Sequence, residues 1–144
     1  MLDSLKSPLM VIGRVLLALM FVMAGFSKLG NIGGTAAYIA SGGLPMPTVL
    51  AVLVGLFELI AGLALAVGYK ARWAALALGV FTLLASVLFH QFWAVPADKQ
   101  MVQQLMFMKN LAVAGGMFIV AALGAGPVSL DNRVTGSIGR PALD

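Results

Sequence analysis

The sequence predicts an all-α integral membrane protein built as a four-helix bundle. Hydrophobic residues make up 61% of the 144 residues and charged residues only 10%, and the mean hydropathy is +1.03. A soluble domain of this size needs far more polar side chains to cover its surface. The apolar residues also fall into four stretches, each close to the ~20 residues with which a helix crosses a bilayer.

The four predicted spans are residues 9–28, 47–68, 73–92 and 104–125. We take residues 1–126 as one four-helix domain and residues 127–144 as a polar, loosely ordered cytoplasmic tail. The first apolar stretch is long for a signal peptide and lacks a small-x-small cleavage pattern, so we expect a helix there. Five glycines between residues 30 and 45 predict a loop, with Tyr38 at the level of the lipid headgroups.

In the first two spans, polar and small residues share one helical face. Positions spaced i, i+4, i+7 and i+11 lie on the same side of a helix. The predicted faces are Arg14, Ala18, Phe21, Gly25 and Lys28 in the first span, and Ala51, Gly55, Glu58 and Gly62 in the second. Small residues mark close helix contact, so we expect these charges to point into the bundle.

The last two spans carry similar faces. They consist of Gly79, Leu83, Ser86 and His90 in the third span, and Lys109, Ala112 and Gly116 in the fourth. A further small-xxx-small run consists of Ala71, Ala75 and Gly79. It is consistent with either helix packing or a dimer interface, so a homo-oligomer remains one of the alternatives.

Depth in the membrane divides the charged residues into two groups. The helical rise and the alternating helix directions place Arg14 and Glu58 within roughly 10 Å of each other along the membrane normal, which predicts an intramembrane ion pair. The ligand-binding candidates gather in the outer half, the half opposite the two termini. They are Lys28, His90, Lys109 and Asn110.

The balance of these interior charges favours an anionic or electron-rich ligand. Arg14, Lys28 and Lys109 are positive and Glu58 is negative. A quinol oxygen, a lipid phosphate or a small oxyanion would compensate the excess, unless Lys28 extends to the interface. The alternative for each candidate is structural: Arg14 and Glu58 fix helix register, His90 caps a helix, and Asn110 joins helices.

Several classes of function are excluded or disfavoured. The chain has no cysteine, so thiol-disulfide exchange, iron–sulfur ligation and cysteine-based zinc sites are excluded. A single histidine without a local binding motif disfavours haem, and we predict no metal site and no covalent cofactor. The basic residues do not cluster with aromatic residues, so the net charge of +4 does not indicate a nucleic-acid partner.

The basic residues outside the spans predict the orientation in the membrane. Lys6, Lys70, Arg72, Arg133 and Arg140 fall on the side of the termini, against Lys28 and Lys99 on the other. Cytoplasmic loops carry the excess of Lys and Arg, so both termini are predicted to be cytoplasmic.

Four segments together carry a family resemblance. They are the first span from Arg14 to Lys28, the segment FELIAGLALAVG with Glu58, the Phe89–His90 pair with Phe92, and FMKNLAVAGG from Phe107 to Gly116. With the closing GAGPVSLD, their order and spacing resemble the DoxX family of four-helix bacterial inner-membrane proteins over nearly the whole chain.

The resemblance implies an architecture and a functional direction, not a substrate. The family is named after a small subunit associated with thiosulfate:quinone oxidoreductase, and its members are linked to membrane-associated oxidoreductase assemblies. Three hypotheses follow for this chain: a quinone-linked membrane subunit of an oxidoreductase, a non-catalytic anchor that recruits a soluble redox enzyme, and a small-anion carrier. The first predicts a lipid-accessible polar pocket in the outer half, the second a filled core, and the third a two-sided path.

Overall fold

The computed structural model describes residues 2–138. Its six α-helices are α1 (Leu2–Gly30), α2 (Ile32–Ser41), α3 (Pro47–Val67), α4 (Ala71–Phe89), α5 (Ala97–Leu123) and α6 (Leu130–Ile138), with a 3-10 turn at Phe92–Ala94. Within these residues, α1, α3, α4 and α5 are long and apolar enough to cross a membrane. The all-α fold with four predicted spans is therefore confirmed.

Helices α1 and α3 pack closely because glycines remove side chains from their contact. A Cβ atom at Gly25 would lie 2.7 Å from the backbone nitrogen of Leu59, and one at Gly62 would lie 3.0 Å from a methyl group of Val22. The polar faces predicted for the first two spans are buried within the protein. Only Lys28, near the outer end of α1, is partly exposed.

Helices α4 and α5 form the second close pair. Gly79 packs against Phe118 and Met117 of α5, while Ala71 and Ala75 are fully buried inside the same chain. The small-xxx-small run is thus used within the protomer, and the alternative that it forms a dimer interface is wrong.

The face predicted for α5 is also wrong. Ala112 is exposed and Gly116 is only partly buried, whereas Ala114 and Met117 are buried against α4. Because adjacent residues on a helix differ by about 100° in direction, this places Lys109 beside the packing face rather than on it. Asn110, the next residue, is partly buried.

The connection after α1 is not a plain loop, because α2 forms within it. The side-chain oxygen of Asn31 accepts a hydrogen bond of 3.0 Å from the backbone N–H of Gly34 and caps the helix. Ala36 and Ile39 of α2 then pack on Ala51 of α3. Helix α2 therefore lies against the outer half of the bundle.

The segment after α5 is folded back onto the inner end of the bundle, contrary to the loosely ordered tail predicted from residue 127. The carboxylate of Asp131 accepts hydrogen bonds from the backbone N–H groups of Lys70 (2.6 Å) and Ala71 (2.9 Å), at the start of α4. Ser129 is buried. Arg140, used in the topology prediction, lies outside the described residues.

Candidate functional site

A cavity of about 420 Å³ lies in the outer half of the bundle. We call it the outer cavity. Helices α1 to α5 and the α2–α3 connection all contribute to its lining, which is mainly apolar. Its polar or ionisable lining side chains are Lys28, Thr35, Tyr38, Glu58, Thr82, His90, Lys109 and Asn110. All four predicted ligand-binding candidates therefore line one cavity; that they bind a ligand stays a prediction.

The charged pair in this cavity is formed by Lys28 and Glu58. The ammonium of Lys28 lies 2.6 Å from a carboxylate oxygen of Glu58, whose side chain is 6% exposed. Side chains on a helix lean toward its N-terminus. Since α1 and α3 run antiparallel, Lys28 leans inward and Glu58 leans outward, and the two groups meet at the cavity wall.

The predicted ion pair between Arg14 and Glu58 is wrong. Leu59, the residue after Glu58, lies against Gly25, which is 11 residues from Arg14 along α1 or about 16 Å at the helical rise. Arg14 also leans inward, away from Glu58. Its guanidinium instead donates hydrogen bonds to the carbonyl oxygens of Ala125 and Val128, the second at 3.0 Å.

His90 is held at the outer end of α4 by Gln103 of α5. Nδ1 of the imidazole lies 2.9 Å from the side-chain oxygen of Gln103. Because that oxygen only accepts hydrogen bonds, Nδ1 donates, and Nε2 is the nitrogen that this contact leaves available. The two residues also connect α4 to α5 beside the cavity.

Lys109 is the cation of the cavity that has no acidic partner within the described part of the chain. Its ammonium lies 3.7 Å from the sulfur of Met106, a weak acceptor. Glu58 and Lys28 compensate each other, and Arg14 lies at the inner end. The three-to-one charge excess predicted from the sequence is therefore reduced to a single cation beside an amide and an imidazole.

Sequence reasoning missed the contribution of α2 to the outer cavity. Thr35 and Tyr38 line it, and the ring of Tyr38 stacks on Phe89 with centroids 5.0 Å apart. Asn31, a favoured capping residue three positions before Gly34, was the one local signal of this helix. The glycines around it masked that signal.

The cavity borders the lipid-facing surface of the bundle. Leu84 and Leu88 line the cavity and are 59% and 43% exposed, and Lys109 at its edge is also exposed. An amphiphilic molecule can therefore place a polar end among Lys109, Asn110 and His90 and an apolar end along the leucines. This is the arrangement expected of a small-molecule site, apolar walls with few polar groups.

The chain is similar to known membrane proteins over most of its length. The DoxX family model matches residues 9–91. Inner membrane protein YphA of Escherichia coli (strain K12) is 33% identical over 125 residues, which cover 87% of this chain and 89% of that protein. Inner membrane protein YqjF of the same strain is 37% identical over 121 residues, covering 84% and 88%.

A more distant similarity extends to yeast. ER-derived vesicles protein ERV29 of Saccharomyces cerevisiae is 27% identical over 131 residues, which are 91% of this chain but 35% of that protein. No solved structure matches the chain.

Proposed function

The chain belongs to the DoxX family of membrane proteins, and from that premise we propose that it is the membrane subunit of a quinone-linked oxidoreductase assembly in the bacterial inner membrane. The outer cavity is the proposed site for the quinone head group. The observation that carries this proposal is the cavity itself, which combines an apolar, lipid-facing wall with a cluster of hydrogen-bonding groups.

The residues of the cavity fit a quinone head group. A quinone ring is planar and uncharged and presents two carbonyl oxygens that accept hydrogen bonds. Lys109 and Asn110 provide N–H donors on adjacent positions of α5, and His90 provides an imidazole nitrogen that can take part in a hydrogen bond. When bound, a quinone supplies two-electron, two-proton redox chemistry. His90 is the residue placed to take up or release a proton, with its Nδ1 fixed by Gln103.

A quinone fits this charge distribution better than a small oxyanion does. Lys28 is already paired with Glu58, so Lys109 is the single uncompensated cation of the cavity within the described residues. A fully charged oxyanion buried there would have one cation to offset its desolvation and would lie close to the carboxylate of Glu58. An uncharged carbonyl needs donors rather than a net positive charge.

The other two hypotheses fit the geometry less well. A carrier requires a path to both sides, but the buried core residues Ala18, Phe21 and Met117 separate the outer cavity from the inner half. A pure anchor needs no cavity of about 420 Å³. Recruitment of a soluble redox enzyme remains compatible with the quinone site, since an oxidoreductase subunit needs a partner that supplies electrons.

The two tryptophans of the chain allow a direct test of quinone binding. Trp93 lies at the outer end, in contact with Phe92 and Phe107, and Trp73 lies in the first turns of α4 at the inner end. In nanodiscs, a ubiquinone with two isoprene units should quench Trp93 saturably in the Trp73→Phe protein. The same probe should quench Trp73 only weakly in the Trp93→Phe protein.

Substitutions at α5 then assign the site. Lys109→Met should weaken quinone binding about tenfold, because a hydrogen bond to a charged group contributes ~1.5–3 kcal/mol. His90→Ala should weaken it less than Lys109→Met does. Lys99→Met is the matched control, since Lys99 is an exposed lysine of the same helix that does not line the cavity. Unsaturable quenching, or equal effects of Lys99→Met and Lys109→Met, would refute the proposal.

A further inference from the structure

A second cavity, about 260 Å³ in volume, lies in the inner half between α1 and α5. We call it the inner groove. Helix α1 packs on α3 and helix α5 packs on α4, which leaves the inner parts of α1 and α5 apart. The lining is almost wholly apolar, and it comprises Leu9, Met10, Gly13, Arg14, Leu17, Gly116, Ile119, Val120, Leu123 and Gly124.

The dimensions of the inner groove match one hydrocarbon chain. From Leu9 to Leu17 it follows α1 for about 12 Å, close to the ~15 Å of half a bilayer's hydrocarbon core. An extended acyl chain can therefore lie along the groove within one leaflet.

Two exposed cations border the inner end of the groove. Lys6 precedes Met10, Gly13 and Leu17 by four, seven and eleven positions, so it lies on the same face of α1. Arg72 lies beside Gly124, where a Cβ atom would be 3.2 Å from its Nε. Within the described residues, Arg72 donates one long hydrogen bond, 3.5 Å to the carbonyl oxygen of Leu123, so most of its five donors have no partner there.

We propose that the inner groove binds one acyl chain of an anionic phospholipid, with the lipid phosphate held between Lys6 and Arg72. The leaflet is the one on the side of the chain termini. The charge of the rim selects an anionic headgroup, and the length of the groove selects an acyl chain. This site is separate from the outer cavity, with which it shares no lining residue, and it does not rest on the proposed quinone function.

Two glycines provide a matched pair of variants for the apolar part of the site. A Cβ atom at Gly13 or at Gly115 would meet nothing within 4 Å, so both positions have open space at the point where a side chain would begin. Gly13 lines the inner groove and Gly115 does not. Gly13→Leu therefore fills the groove, while Gly115→Leu adds the same side chain to the exposed surface of α5.

The experiment is native mass spectrometry of the purified full-length protein, with phosphatidylglycerol and phosphatidylcholine of identical acyl chains as probes. The wild-type protein should retain phosphatidylglycerol preferentially. The double variant Lys6→Gln/Arg72→Gln should weaken that binding about 30-fold, and Gly13→Leu should weaken it about tenfold with an unchanged thermal midpoint. Gly115→Leu should bind like the wild type.

Three results would overturn the proposal. The first is equal retention of the two lipids by the wild-type protein. The second is an equal response of Gly13→Leu and Gly115→Leu. The third is a dimer that Gly13→Leu dissociates, which would assign the groove to a second copy of the chain.

Discussion

The inner and outer halves of the bundle bury their charged side chains in different surroundings. In the inner half, Arg14 is 4% exposed, and backbone carbonyl oxygens that follow α5 bind its guanidinium. In the outer half, the Lys28–Glu58 pair borders a cavity, and the side chain of Lys28 is 30% exposed. The guanidinium of Arg14 is held by backbone carbonyl groups at the edge of the apolar inner groove, whereas the outer pair faces a cavity with further polar side chains.

This difference shows that the same sequence signal serves two purposes. Arg14 and Glu58 both lie on a helical face of small residues, which predicts burial for each. What distinguishes them is the packing around them. Arg14 connects α1 to the segment after α5, and a Cβ atom at Gly68 would lie 2.8 Å from its Nη1, so its guanidinium also packs against the end of α3. We therefore assign Arg14 to stability and the outer charges to the ligand site.

The largest effect that tests this comparison is expected from Arg14→Met. The substitution removes two hydrogen bonds from a charged donor and leaves the carbonyl groups of Ala125 and Val128 without that partner. We expect the free energy of unfolding to fall by about 3 kcal/mol. Reversible unfolding in mixed micelles with increasing dodecyl sulfate measures the change.

Arg14→Lys is the control, because it keeps the charge but has one ammonium group in place of the forked guanidinium. It should lose roughly half as much stability as Arg14→Met. Quinone binding to either variant should equal that of the wild type. A folded, fully stable Arg14→Met protein with weakened quinone binding would reverse the assignment of the two halves.

A smaller effect is expected when the outer ion pair is broken. Glu58→Gln leaves Lys28 without its carboxylate, but the ammonium remains partly exposed at the cavity. We expect a loss of about 1 kcal/mol, in the range of polar contacts measured between membrane helices. A double-mutant cycle with Lys28→Met, followed by the same unfolding assay, isolates the interaction of the pair.

In that cycle the double variant should be more stable than the sum of the single losses predicts. Additive losses would mean that the pair contributes no interaction energy. A loss as large as that of Arg14→Met would show that the outer pair is as rigidly embedded as the inner arginine, and the contrast between the two halves would disappear.

Sequence periodicity predicted the helices well and the partners of the charges poorly. The faces of α1 and α3 are confirmed because Gly25, Gly55 and Gly62 combine a regular spacing with a close helix contact. Helix α5 is less buried than the other spans, so its pattern of small residues did not mark its packing face.

Partners depend on the register between helices, which the spacing within one helix does not contain. Helix rise alone placed Arg14 near Glu58, but the tilt of side chains toward each helix N-terminus brings Lys28 to Glu58 instead. The prediction that four residues lie together used only their depth in the membrane, and the structure agrees with it. These residues are Lys28, His90, Lys109 and Asn110. Helix α2 and the Asp131 contacts were missed because both depend on capping by a single polar side chain.

The smallest effect is expected from Asp131→Asn, which tests how the inner half is closed. The carboxylate accepts hydrogen bonds from the first two N–H groups at the start of α4, and it interacts electrostatically with Arg14. An amide keeps one acceptor oxygen and loses the negative charge, so we expect a loss of about 0.5 kcal/mol, at the low end of the range for helix caps. Asp98→Asn, at the exposed outer end of α5, is the matched control and should change stability little. Asp131→Asn could instead weaken quinone binding as much as Lys109→Met does. That result would mean that the segment after α5 is coupled to the outer cavity and that the two halves do not act independently.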